Sequence, residues 1–166
     1  MRNTWMVSFI IVVGVAIGGL LYLYGGTSFH RSSLETPSGP GFTEISHGSN
    51  AGGITIRVNY RITDPADFQQ LWQMVYSDNG PSVPTIDFTK YEVLAVFDGS
   101  HSTDGYGVTV ESVKDKGSQR VIMINHSEPG DSCNPQSVVS NPFVIVQVSK
   151  TVLPLTHDET TSTTSC

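Results

Sequence analysis

Charge is scarce in this chain: only 14% of its 166 residues are Asp, Glu, Lys or Arg. Nine basic residues against 15 acidic ones leave a net charge of −6. The basic residues are scattered, so the stripe that displaces counterions from a phosphate backbone is missing and nucleic acid is excluded as a partner. Cysteine is rarer still, with Cys133 and Cys166 alone. There is no C-x2-C, and His30, His47, His101, His126 and His157 are dispersed without an H-E-x-x-H, so no spacing suits a zinc site. A Walker A loop, a G-x-G-x-x-G turn and a G-x-S-x-G elbow are all lacking. These absences imply no catalytic residue, no metal and no cofactor. Glycine (16) and proline (9) are plentiful instead, which points to a loop-rich β protein.

The apolar residues are unevenly spread. Residues 5–24, WMVSFIIVVGVAIGGLLYLY, carry no charge. A helix of that length matches the ~30 Å hydrocarbon core of a bilayer. Trp5 at one end, and Tyr22 and Tyr24 at the other, suit the headgroup zone. The segment reads as a signal anchor. A cleaved signal peptide is the alternative, but the run exceeds the usual h-region of ~7–15 residues and no A-x-A-like site follows. No cysteine near its end offers a lipid attachment point. Arg2 and the α-amine precede the span, while Arg31 beyond it is offset by Glu35. The positive-inside bias therefore leaves residues 1–4 in the cytoplasm and the rest outside. In an oxidising compartment Cys133 and Cys166 would form one disulfide, the alternative being two unpaired thiols.

Residues 25–41 are rich in Gly, Ser, Thr and Pro and read as a flexible linker. The folded unit is expected over 42–156. Residues 157–166 read as a polar tail that frays unless Cys166 is tied down. A short strand is expected at Phe42–Ile45. Ile54, Ile56, Val58, Tyr60 and Ile62 alternate with Thr55, Arg57, Asn59 and Arg61, the period of a half-buried strand facing inward through its apolar set. Asp64-Pro65 opens a helix as cap and first residue. Its apolar stripe is Phe68, Leu71, Trp72 and Val75, and Asn79-Gly80-Pro81 is expected to stop it. Four more strands follow, Tyr91–Phe97, Tyr106–Val113, Arg120–Asn125 and Phe143–Val148, with a hairpin loop at Lys114–Gln119. YEVLAVF, RVIMIN and FVIVQV are apolar on both faces and belong in central positions. The order β-α-β-β-β-β forbids a doubly wound sheet. It predicts a mainly β (α+β) protein, an antiparallel β-sandwich or rolled sheet with one packed helix.

Between two strands, Asp98-Gly-Ser-His-Ser-Thr-Asp-Gly-Tyr106 gathers hydroxyls, an imidazole and carboxylates. A triad needs nucleophile, base and orienter in line with an oxyanion hole. Sequence neighbours on one turn more readily stabilise that turn, and the same holds against a cation held by Asp98, His101 and Asp104. Gly105 is expected at positive φ. This loop and Glu128–Pro142 flank the central strands. Loops held by a rigid sheet build a binding edge, so Ser100, His101, Thr103, Asp104, Gly105 and Tyr106 are the candidate partner-binding residues.

Several motifs carry a family resemblance. They are Phe68-x-x-Leu71-Trp72; Asp87-Phe88-x-Lys90-Tyr91-x-Val93-x-Ala95-Val96-Phe97-x-Gly99; Thr103-Asp104-Gly105-Tyr106-x-Val108-x-Val110-x-x-Val113; and Pro129-Gly130, Cys133 and Gln136 leading to Pro142-Phe143-Val144-Ile145-Val146. Together, over residues 54–150, the chain resembles the PrcB C-terminal domain family. That family is similar to the accessory subunit of a bacterial cell-envelope protease complex. The resemblance implies a non-enzymatic protein-binding module, on a single-pass protein of a bacterial inner membrane with its C-terminal domain periplasmic or extracellular. Two departures stand out: there is no lipobox cysteine, and Asp104 replaces a glycine of the family's T-G-G-Y. The Gly105-Tyr106 loop and the Pro142-Phe143 strand also resemble the inhibitory loops of the chagasin class of protease inhibitors. Direct protease inhibition through Ser100–Tyr106 is therefore an alternative, as is a small-ligand-binding or hydrolytic β-domain.

Overall fold

The computed structural model describes residues 41–77 and 80–166. The expected anchor at 5–24 and nearly all of the linker at 25–41 lie outside the described residues. Among those described, no helix is long and apolar enough to cross a membrane. The elements are β1 (Thr43–Gly48), β2 (Arg57–Ile62), α1 (Pro65–Tyr76), β3 (Tyr91–Asp98), β4 (Gly107–Lys116), β5 (Gln119–Pro129), β6 (Phe143–Ser149) and β7 (Leu155–Thr164). They form one four-stranded sheet in the order β1-β6-β3-β2 and one three-stranded sheet in the order β4-β5-β7. A mainly β architecture with one helix is what the sequence predicts. Each of the three strands read as apolar on both faces is internal to its sheet: β3 and β6 in the first, β5 in the second.

The helix forms where its signals stand. The Asp64 carboxylate accepts the backbone N–H groups of Ala66 (2.9 Å) and Asp67 (3.1 Å), filling two of the orphan donors at a helix start. Those bonds favour the ionised form, so the Asp64 pKa falls below its ordinary value, the N–H of Asp67 contributing most. Phe68, Leu71, Trp72 and Val75 are the buried residues of α1, each burial contributing on the order of 1.5–3 kcal/mol. They meet Val93, Ala95 and Phe97 of β3 and Phe143 and Ile145 of β6 in one core. The helix stops earlier than expected. Ser77, at φ 56°, donates its N–H to Gln73 O, so the left-handed turn falls on a serine before Gly80 is reached.

A second core lies between the sheets, built from Leu94 and Val96 of β3, Val144, Val146 and Val148 of β6, Val108, Val110 and Val113 of β4, and Ile122 and Ile124 of β5. β3 thus sends alternate side chains to the helix and to the other sheet, which is why a continuous apolar run suits it.

Three expectations need correction. Ile56 does not face a core, being 66% exposed, and Tyr60, though its ring stands edge-on to core Phe97, is 37% exposed at the rim. Ile56 precedes β2, which begins only at Arg57, and β2 is an edge strand whose outer neighbour is solvent. Strands β4 and β5 run through most of the expected Lys114–Gln119 loop and leave a turn at Gly117 and Ser118. Residues 155–164 are not a frayed tail but β7, paired with β5 over ten residues in parallel. The chain leaves β6 and re-enters beside the start of β5, where Arg120 N donates to Pro154 O (2.9 Å), so β7 runs the same way as its neighbour and the sandwich is not wholly antiparallel. Cys166 is tied down, bonded to Cys133 with 5.1 Å between their Cα atoms.

Candidate protein-binding loop surface

Two lines of alternating residues bound the inter-sheet core. On β3 the face turned to the other sheet reads Glu92, Leu94, Val96, Asp98; on β5 it reads Arg120, Ile122, Ile124, His126. The apolar middles pack together, and each end closes on an ion pair. At one end Glu92, fully buried, accepts from Arg61 of β2 (2.8 and 3.0 Å) and lies 3.3 Å from Arg120. Arg120 also grips Asp115 of β4 (2.6 Å) and the carbonyl of Ser149. The Arg120 guanidinium holds the Asp115 carboxyl below its ordinary pKa.

The other end underlies the candidate loop. Asp98, with its side chain 2% exposed, accepts from Arg57 Nη2 at 2.6 Å. Its second oxygen lies 2.7 Å from His101 Nε2. His126 is buried on β5 with Nδ1 2.6 Å from Asp98 and Nε2 3.7 Å from Glu159 of β7. Neither ring nitrogen aligns as a hydrogen bond, so His126 sits as a close polar contact between two carboxylates. Burying groups of this kind is costly unless they are paired, and the pairing draws β2, β3, β5 and β7 to one point.

Above Asp98 the loop is fixed rather than trailing. Gly99, at φ 86°, is buried with its Cα so near β2 that a Cβ would stand 2.9 Å from Arg57 N. Ser100 N donates to Thr55 O (2.9 Å). His101 lies flat on Tyr106, ring centroids 3.8 Å apart and planes 7° from parallel. Gly105 has the expected positive φ, 89°. The Glu128–Pro142 connection emerges beside this loop and is stitched to it. His101 and Ser140 exchange backbone hydrogen bonds (2.8 and 3.1 Å), and Ser140 Oγ donates to Thr103 O (2.7 Å). Asp104 N donates to Gln136 O (3.1 Å) while Asp104 Oδ1 accepts from Gln136 N (2.7 Å). The last bond needs a side-chain acceptor oxygen, which Asp104 supplies and a glycine at this position would lack.

The disulfide joins the same structure. Gly130 N donates to Thr164 O (3.0 Å), and a hollow of about 330 Å³ is lined by Asp104, Gly105, Pro129, Cys133, Thr164 and Cys166 among others. All six candidate residues are thus brought to one end of the sandwich. Ser100 and Gly105 are exposed, and His101, Thr103, Asp104 and Tyr106 are half-buried. Around them Ile56, Val138 and Val139 expose 66, 55 and 61% of their surface.

Sequence reasoning missed Arg57, His126 and Glu159 beneath the loop, and Glu92, Arg61 and Arg120 at the far end. The available signal was the matched period-two pattern, acid-x-apolar-x-apolar-x-acid on one strand and base-x-apolar-x-apolar-x-His on another. Among the described residues no group of three or more His, Cys, Asp or Glu is placed to hold a metal ion. No hydroxyl there is hydrogen-bonded to the His101 ring, whose Nε2 is turned to Asp98.

Comparison with curated proteins and with solved structures gives no match. A family model does match, over residues 93–149, under the description PrcB C-terminal. The match spans β3 to β6 and both stitched loops; β2 and α1, included in the resemblance over 54–150, lie outside it. Over residues 93–149, β3 to β6, this chain is similar to the PrcB C-terminal family.

Proposed function

We propose that this domain is the protein-binding head of a membrane-tethered, extracytoplasmic protein, a non-enzymatic accessory or stabilising subunit of an envelope protease complex. One observation carries the reading: the loops 99–106 and 130–142 are cross-bonded into a single surface and display Ile56, Val138 and Val139 to solvent. A preformed surface loses little entropy on docking, and the exposed apolar groups around the loop offer area to bury against a partner. The His101 ring is turned to a buried carboxylate and stacked on Tyr106, an arrangement that supports a structural use of the loop over a catalytic one. The disulfide supports export, since such bonds persist in oxidising compartments. The family name supports a protease complex as the setting.

A photo-crosslinking residue at Ser100 or Val139 of the full chain, in native membranes, tests the reading. One discrete adduct with an envelope protease is expected, together with a fall in that protease's abundance when the chain is deleted. No adduct at either position and unchanged protease levels would refute it.

A further inference from the structure

Four strand edges are open in the two sheets: β1, β2, β4 and β7. Three carry the devices that blunt an edge against other chains. The β1 register shifts between Glu44 and Ser46, and the β4 register between Val110 and Ser112. β4 also carries Lys114 and Lys116, and β2 is only six residues long with Arg57 and Arg61 on it. The charged groups of β7 are Asp158 and the inward-turned Glu159. The strand runs ten residues in unbroken register, LTHDETTSTT, without lysine, arginine, proline or bulge.

Backbone direction identifies the open groups. Pro154 O and Thr164 O both accept from the β5 side, so in an alternating strand the even-numbered residues face β5. His157, Glu159, Thr161 and Thr163 turn their N–H and C=O outward. Such an evenly spaced row is matched by another strand. The charge of the edge limits which strand. Glu159 is already met by Arg57 (3.9 Å) and His157 (3.6 Å), but Asp158 is exposed and the chain carries −6 overall, so the incoming segment places a basic residue opposite Asp158. Below the edge, a cleft of about 480 Å³ between β7 and β2 has Val58, Ile122 and Leu155 in its lining beside the paired Arg57 and Glu159, room for alternate side chains of an added strand. The disulfide beyond Thr164 holds the edge in place before anything docks.

We infer that the outer edge of β7 takes up an extended, basic segment of a protein partner as a fourth strand of the smaller sheet. This rests on the reading of the domain as a protein-binding module and adds a second contact to its loop surface. The test uses the full chain with a labelled KTVTVTK peptide and its DTVTVTD counterpart. The lysine peptide is expected to bind at least ten-fold more tightly and to slow hydrogen exchange at Thr161 and Thr163. Thr161→Pro removes one outward N–H and none that faces β5, and is expected to weaken binding at least ten-fold. Asp158→Lys, which leaves the backbone intact, is expected to reverse the preference between the peptides even where the proline variant fails to fold. Equal binding of both peptides, no binding, protection at the β1, β2 or β4 edge, or β7 protection that grows with chain concentration alone would each overturn the inference. Loop crosslinks from Ser100 that persist while the peptides fail would overturn it and leave the protein-binding reading standing.

Discussion

Replacing Asp98 by alanine is the most informative single change. Its carboxylate is 2% exposed and meets Arg57 at 2.6 Å, His126 at 2.6 Å and His101 at 2.7 Å. Removing it strands a buried imidazole, frees a guanidinium that joins β2 to β3, and unpins the ring on which Tyr106 stacks. Breaking a buried pair by deleting one partner costs about 3–5 kcal/mol. With an unfolding entropy of about 2.1 cal/mol/K per residue, the described domain should melt roughly 12–19 °C lower. Asp98→Asn keeps the volume and one acceptor oxygen, so it should lose less than half as much. Thermal denaturation of the full chain near neutral pH, followed by circular dichroism, reads both. An Asp98→Ala protein that melts within about 3 °C of the parent would refute the claim that this carboxylate ties the sheets together, because ~1 kcal/mol is what a surface pair contributes.

Replacing Cys133 and Cys166 together by serine opens a loop with a sequence separation of 33. It should cost roughly 3–4 kcal/mol in the loop-entropy model, with amide exchange rising first across residues 155–164. Leu71→Ala in α1, at a side chain 2% exposed, should cost ~2–5 kcal/mol by urea titration, whereas alanine at exposed Gln70 should change stability by less than ~0.5 kcal/mol. Asp115 has its folded pKa depressed below 3.8 by Arg120. Its contribution is present above 3.8 and lost as pH falls through the folded value, so the stability gap between the parent and Asp115→Asn should close in acid. A gap that stays constant down to the acid limit would show that the pairing with Arg120 adds nothing. Tyr106→Leu should leave melting nearly unchanged yet reduce crosslinking from Ser100, since the ring stacks on His101 at the loop surface.

The helix was legible because its cap, first-turn proline and apolar spacing are all local, and the strands because their β-branched runs are. Phe68, Leu71, Trp72 and Val75 are buried as the period demands, and β3, β5 and β6 are internal as two apolar faces demand. β7 was not legible. Thr, Ser, Asp and Glu carry no apolar alternation, and the strand exists because β5 offers an edge and Cys133 a covalent anchor, both far away in sequence. The same holds for the charges. Arg57 and Arg61 read as the wet side of an alternating strand, although that side faces Asp98 and Glu92 across the sheet.

Composition and periodicity alone determined a mainly β domain with one helix and marked out the polar loop from Asp98 to Tyr106 between two of its strands. That this loop is stitched to residues 130–142, that Asp104 bonds to Gln136, and that a polar C-terminal segment is a strand were decided only by the tertiary structure. Local preferences act over a few residues, whereas each of these contacts joins groups some thirty or more positions apart. Their free energy exists only once the sheets have brought them within reach.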